Sequence, residues 1–241
     1  MHDLRALIGR LSPVTTEHDL IRVGCDADGG YLVPDDFDGI VACFSPGVDN
    51  RATFEEALLQ RGIRCHLADA SVDRNPLDDD RSSFSKRYLG VVNNETFITG
   101  DRWIEEREPG EGDLLLQMDI EGAEWPVLLN IGDHALARFR IIVLELHDME
   151  RLLDRHAFEI IRATMERLLE RFHVVHIHPN NFGGRVYARE IEIPRSLEVT
   201  LLRRNRARLV SPAIQFPHPL DQANTQDRRD IVLPPAWRAS A

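Results

Sequence analysis

The sequence has almost no lysine, few cysteines and no long apolar run. Lys86 is the single lysine among 29 basic residues, so arginine carries the positive charge, a bias of coding composition rather than of mechanism. Cys25, Cys43 and Cys65 have neither an even count nor metal-ligand spacing. That argues against a disulfide framework and a thiolate zinc site, and they read as small buried hydrophobes. No stretch of about 18 apolar residues occurs, and Met1-His2-Asp3-Leu4-Arg5-Ala6-Leu7 has no signal-peptide core, so the expected location is cytoplasmic. The formal net charge is −11, with acids bunched at Asp35–Asp38 and Asp78–Asp80; neither nucleic acid nor an anionic membrane is an expected partner. A Gly-x-Gly-x-x-Gly loop is also missing. The loop after the first buried strand reads Ser45-Pro46-Gly47-Val48-Asp49-Asn50, which leaves a pyrophosphate without its glycine cradle and disfavours NAD and FAD.

What is present is an alternation of short apolar runs and amphipathic segments. Strands are expected at Gly39–Phe44, Ile63–Leu67, Arg87–Val92, Leu114–Met118, Arg140–Leu146, His173–His178 and Leu197–Arg203. Helices are expected at Ala52–Gln60 with Asn50 or Thr53 as cap, and at Thr99–Arg107, Trp125–Ile131 and His156–Phe172, where Phe158, Ile161, Met165, Leu168 and Leu169 recur at helical spacing. Repeated β-α units with near-continuous apolar strands predict one α/β domain, a mostly parallel sheet covered on both faces. Within it, residues 1–35 read as an N-terminal helix and an Asp-Gly-Gly turn region and residues 36–205 as the core. Residues 206–241 read as an extended, proline-containing arm that either roofs the site or pairs with a second copy in a homodimer.

The most informative segment is Leu114–Trp125, where an apolar strand runs into Asp119-Ile120-Glu121-Gly122-Ala123-Glu124 and then a helix. Ligands of open parallel sheets bind beyond the carboxyl ends of the strands, which is where Asp119 and Glu121 stand. The structural alternative is a helix cap with acids in the first turn. Gly47 after the first strand would let a ligand approach the loop, and Asp69 after the second could accept both hydroxyls of a ribose. A ribose-bearing ligand without phosphate fits best, and S-adenosylmethionine (SAM) is one.

Glu145 and His147 project to one side by strand alternation. Together with Asp119 they offer oxygen ligands and an imidazole, a set suited to Mg²⁺ or Mn²⁺ rather than zinc, unless the pair only orients a loop. His176 and His178 also share a face, followed by Asn180-Asn181; they could bind substrate hydroxyls, act as bases or be structural.

Met118-Asp119-Ile120-Glu121-Gly122-Ala123-Glu124, the Gly47 loop with Phe54-Glu55, Leu144-Glu145-Leu146-His147, and His176-x-His178-x-Asn180-Asn181 with Leu197-Glu198-Val199-Thr200 resemble the FkbM family of SAM-dependent methyltransferases over about residues 20–205. The Asp28-Gly29-Gly30-Tyr31 turn belongs to the same resemblance. It implies a seven-stranded Rossmann-like class I methyltransferase fold, its last strand antiparallel and inserted beside the sixth. It also implies methyl transfer to a hydroxyl of a sugar or oligosaccharide, such as a mannoside polysaccharide precursor. Cofactor contacts are then expected at Tyr31, Ser45, Gly47, Asp69 and Asp119, metal contacts at Asp119, Glu145 and His147, and catalytic roles at His147, Glu121, His176 or His178, with His147 the expected base. A metal-dependent hydrolase and a silent binding module on the same scaffold are the competing readings.

Overall fold

Seven strands hydrogen-bond into one sheet in a computed structural model that describes residues 2–239. They are β1 (Ile40–Pro46), β2 (Arg64–Ala68), β3 (Ser82–Ser85), β4 (Asp113–Met118), β5 (Phe139–Leu146), β6 (Phe172–Pro179) and β7 (Leu197–Arg203). Their spatial order is 6-7-5-4-1-2-3. β7 is antiparallel to both neighbours, and the other pairings are parallel. This is the α/β arrangement expected from the sequence. The third strand is displaced, however: Ser82–Ser85 joins the sheet, whereas Tyr88–Gly90 leaves the expected Arg87–Val92 strand to pair with Phe97–Thr99 in a separate two-stranded ladder. The polar serines carry no apolar run by which a sequence reading would find them.

Among the described residues six α-helices connect and cover these strands: α1 (His2–Arg10), α2 (Thr53–Gln60), α3 (Gly100–Arg107), α4 (Glu124–Asn130), α5 (Asp133–Arg138) and α6 (Arg155–Arg171). Asp154 caps α6 by accepting from the backbone N–H groups of His156 and Ala157, a preferred N-cap arrangement. α2 has no side-chain cap; neither Asn50 nor Thr53 supplies one, and the Thr53 hydroxyl instead donates to the Gly29 carbonyl.

Strand alternation divides the sheet chemically. Leu114, Leu116, Met118, Ile142, Leu144 and Leu146 join the larger apolar core, with α1 and α3–α6. Leu115, Ile141, Val143 and Leu202 point the other way, toward α2 and an N-terminal hairpin of Leu20–Val23 and Tyr31–Pro34. That second face also receives Ser45, Gln117, Asp119, Glu145, Glu198 and Thr200 by alternation, and His176 and His178, which an irregularity between Val174 and His176 sets opposite Thr200 and Glu198. The hairpin lies across it, and the Thr200 hydroxyl donates to the Leu32 carbonyl.

The C-terminal arm folds back on its own chain. Ser211–Pro212 pairs with Val14–Thr15, and Trp237, fully buried, joins the larger core near α1.

At the carboxyl end of the sheet the loops after β1 and β4 press together. Gly47 has φ +83°, and a Cβ there would lie 1.5 Å from the Asp119 carbonyl oxygen. The glycine expected to admit a ligand is therefore first required by this backbone contact. Gly62, with φ +81° and nothing within 4 Å of a built Cβ, isolates the conformational cost alone. Gly62→Ala is expected to cost about 1–2 kcal/mol, and Gly47→Ala about 3 kcal/mol or more because a loop must also move. Urea unfolding of the two variants measures the difference; equal costs would show that the loops part freely.

Candidate active site

The chain leaving β4 turns through Glu121 (φ +55°) and Gly122 (φ +98°), both in the left-handed region, before entering α4. Such strain at a non-glycine residue persists only where the surroundings hold it. Glu124 holds it here. Its fully buried carboxylate accepts from the backbone N–H groups of Ile120 (3.0 Å) and Gly122 (3.1 and 3.2 Å), and lies 3.2 Å from His147 Nδ1. Neither Asp119 nor Glu121 caps α4, whose N-cap position is Ala123 with no side-chain bond.

His147 follows β5, and the Trp125 indole donates to its carbonyl at 3.1 Å. With Nδ1 facing Glu124, its Nε2 meets three carboxylates: Glu121 at 3.6 Å, Glu145 at 3.7 Å and Asp119 at 3.9 Å. These distances exceed hydrogen-bond length. Asp119 Oδ1 is buried and has no hydrogen-bond partner. Burial, then the charge of Glu145, pushes the Asp119 carboxyl up to about 8. Burial, then Glu198, pushes Glu145 up to about 7. Burial by itself would lower His147, but the Glu124 hydrogen bond and the charges of Glu124, Glu145 and Asp119 outweigh it, and the imidazole rises to about 9.

The three expected metal ligands do not form one set. Asp119 and His147 converge with Glu124, whereas Glu145 converges with Asp28 and Glu198. Glu145 Oε1 is already taken by the Asn180 amide (2.6 Å) and the Ser196 hydroxyl (3.0 Å).

Beside this cluster a cavity of about 330 Å³ opens between the hairpin turn, the β1 loop and α2. Tyr31, Gly47 and Asp119 line it, as do Asp28, Glu55 and Gln117, which were not singled out as ligand contacts from sequence. Gln117 could have been noticed as the one polar side chain within Leu114–Met118. Ser45 lies under the floor, fully buried, its hydroxyl directed at Glu55 Oε1 and at Gln117 Oε1 (2.7 Å). One hydroxyl proton cannot serve two acceptors. Burial raises the Glu55 carboxyl above its ordinary range, and a protonated Glu55 that donates to Ser45 satisfies the chain.

Asp69 does not line the cavity. Its Oδ1 accepts from the backbone N–H (2.7 Å) and hydroxyl (2.6 Å) of Ser71, the turn-forming role that a lone aspartate often plays.

The two expected histidines on β6 are drawn away from His147 by the arm. His176 Nε2 pairs with Asp221 at 2.8 Å. His178 lies between Glu198 (3.4 Å) and Asp230 (3.1 Å). Burial opposes protonation of His178, but hydrogen bonds to Asp230 and Glu198 raise it to about 10. Asn181 is likewise engaged, donating to the Thr225 and Arg228 carbonyls.

Residues 49–172, just over half of the chain, match the family described as the methyltransferase FkbM domain. The chain belongs to the FkbM methyltransferase family. The matched span contains β4, β5 and the Glu124–His147 pair. A curated relative, the AMB antimetabolite synthetase AmbE of Pseudomonas aeruginosa, is 41% identical over an alignment covering 23% of this methyltransferase and 3% of that protein. The chain thus spans a small fraction of that relative's length. Among solved structures, a candidate RNA methyltransferase from Pyrococcus horikoshii is similar at 12% identity and a TM-score of 0.36, over 70% of this chain and 76% of that one.

The crowded site gives this methyltransferase a pH signature. Asp119, Glu145, His147 and His178 all bind protons more tightly when folded than their ordinary values of 3.8, 4.5, 6.5 and 6.5 would allow. The imidazole contributions are complete below about 6.5 and are lost as pH rises through the raised values. The carboxyls act with the same sign, since above about 4 the unfolded chain ionises while the buried groups resist. Metal-free protein is therefore expected to lose melting temperature steadily from pH 6 to 9, and Asp119→Asn to flatten the slope. Thermal unfolding in excess chelator tests this; stability rising over that range would overturn it.

Proposed function

We propose that this FkbM-family protein is a SAM-dependent O-methyltransferase acting on a hydroxyl of a sugar or similarly polar acceptor. The observation that carries the reading is the juxtaposition, beyond the carboxyl ends of β1, β4 and β5, of a ligand-sized cavity with His147 and its carboxylates. SAM suits that cavity for two reasons. The β1 loop lacks the glycines that a pyrophosphate needs, and the exposed carboxylates of Asp28 and Asp49, which outnumber the lining Arg51, favour a cationic ligand over an anionic one. Tyr31, Gly47, Gln117 and Asp119 are the proposed cofactor contacts, with Ser45 supporting Gln117 from beneath and Asp69 left out.

The donor is activated by its own sulfonium charge, so the protein must place the acceptor in line, exclude water and take up the hydroxyl proton. His147, protonated at neutral pH in the empty site because its neighbours raise it to about 9, is the proposed base once the positive charge of the bound donor returns the ring to its neutral form. Glu124 fixes the ring through Nδ1, and Nε2 faces the open rim near Asp119 and the exposed Glu121. The exposed carboxylates of Asp28, Asp49 and Glu121 around the mouth suit hydroxyl donors. Asn180 and Asn181, by contrast, are spent on internal bonds.

A divalent cation fits the same rim. Asp119 Oδ1 is buried without a partner, and the carboxylates stand off from His147 Nε2 at distances that leave room between them. Asp119 and His147 would hold Mg²⁺ or Mn²⁺, with Glu121 on the open side. Such an ion lowers the pKa of a hydroxyl bound to it. With the ion bound His147 would be one of its ligands through Nε2, and without it His147 would be the base.

Calorimetry with S-adenosylhomocysteine and NAD tests the cofactor: S-adenosylhomocysteine is expected to bind and NAD not to bind at the same concentration. Binding of NAD alone would sink the proposal. His147→Ala should retain S-adenosylhomocysteine affinity within a few fold and lose about 10²- to 10⁴-fold in methyl transfer to a sugar acceptor. Near wild-type turnover would remove His147 from the chemistry. Full turnover after chelation, with metal removal confirmed by elemental analysis, would remove the ion.

A further inference from the structure

A second cavity, of about 300 Å³, lies at the outer edge of the sheet beside β6. None of its lining residues lines the cavity at Gly47. Val14, Val175, Ile177 and Phe216 give it apolar walls, and His176 and His218 face it. The two rings meet edge to face, with centroids 6.2 Å apart.

The hydrogen-bond partners set the polarity of both rings. Asp221 Oδ1 meets His176 Nε2 at 2.8 Å, and Asp221 Oδ2 accepts the backbone N–H of His218 at 2.7 Å. A carboxylate that accepts at both oxygens requires the proton to sit on His176 Nε2. In the neutral ring this leaves Nδ1 as an acceptor. No group among the described residues bonds to Nδ1, and it is not among the buried atoms sealed without a partner. His218 has the opposite pattern. Its Nδ1 accepts from the Leu220 N–H at 3.2 Å, so the neutral ring carries its proton on Nε2 and presents a donor. Burial, the largest cause, holds His218 below the ordinary histidine value and favours that neutral form.

One acceptor and one donor on neighbouring rings within apolar walls match a group that donates and accepts at a single atom, which is a hydroxyl. A carboxylate would have no use for the acceptor, and a hydrocarbon would leave both nitrogens unpaired.

We propose that this cavity is a second small-molecule site, taking a compact, mostly apolar alcohol or phenol whose hydroxyl donates to His176 Nδ1 and accepts from His218 Nε2. The site goes beyond the methyl-transfer reading and requires neither methyl donor nor metal. Both walls come from segments outside the matched family region: the chain before Leu20 and the arm after Ser211, with β6 between them.

The test uses the full chain with 1-naphthol and naphthalene as probes, followed by protein NMR titration. 1-Naphthol is expected to shift the His176 and His218 resonances and to bind about tenfold more tightly than naphthalene, the scale of one or two hydrogen bonds. His218→Ala, which spares the backbone bond to Asp221, should reduce that preference to about twofold or less. Ala213→Trp, which fills the cavity, should abolish binding of both probes while circular dichroism confirms the fold. Should Ala213→Trp fail to fold, the His218→Ala comparison still decides. Equal affinity for the two probes, binding that survives Ala213→Trp in folded protein, or no binding of 1-naphthol up to its solubility would overturn the proposal.

Discussion

A buried glutamate joins the ends of the two central strands. Glu124 enters the protein interior with no lysine or arginine partner among the described residues, and it is made tolerable by three groups: the N–H groups of Ile120 and Gly122 and the His147 ring. Hydrogen bonds to an ionised group are each worth about 1.5–3 kcal/mol, and a buried charge that loses them has no alternative in water. The left-handed Glu121 and the turn at Gly122 follow from that constraint, because only a tight loop brings both N–H groups to one carboxylate. The imidazole follows too: once Nδ1 faces Glu124, Nε2 can only face the rim.

The rim that results is overloaded with acid. Glu121, Glu145 and Asp119 gather around Nε2, Asp28 and Glu198 stand next to Glu145, and no lysine or arginine is paired with Asp119, Glu121 or Glu145 among the described residues. The arginines are used elsewhere. Arg140, buried, binds Asp36 and Asp113 at the opposite end of the strands, where Arg203 and Arg206 complete the network. The chain thus compensates its acids at the structural end of the sheet and leaves them uncompensated at the other. Uncompensated buried acids are held by protons or by a bound cation, and that is the physical basis on which a positively charged donor is proposed for this site.

The N-terminal hairpin and the C-terminal arm convert one polar face into separate compartments. Without them, strand alternation would lay Gln117, Asp119, Glu145, Glu198, His178 and His176 along a continuous surface. The hairpin crosses that surface and is tied down by Thr200 and Thr53. The arm delivers Asp221 to His176 and Asp230 to His178. One histidine, His147, is left for the rim.

Local chemistry in the sequence determined six of the seven sheet strands and most of the helices, the carboxyl-end placement of Asp119, Glu121 and His147, and the Asp-Gly-Gly hairpin, because hydrophobic period, turn residues and strand ends are properties of neighbouring positions; the serine strand Ser82–Ser85 and α5 carry no such signal. The family resemblance added the antiparallel β7, which periodicity alone could not assign. Only the tertiary structure decided which polar groups are free. Asp69 is closed by Ser71, Ser45 sits beneath the cavity, Glu145 is bound by Asn180 and Ser196, and the β6 histidines are claimed by an arm more than forty residues away. A hydrogen bond to a distant segment leaves no periodic trace in the chain. That is why a residue's type and strand position were legible from the sequence, while its availability for chemistry depended on what the rest of the fold brought against it.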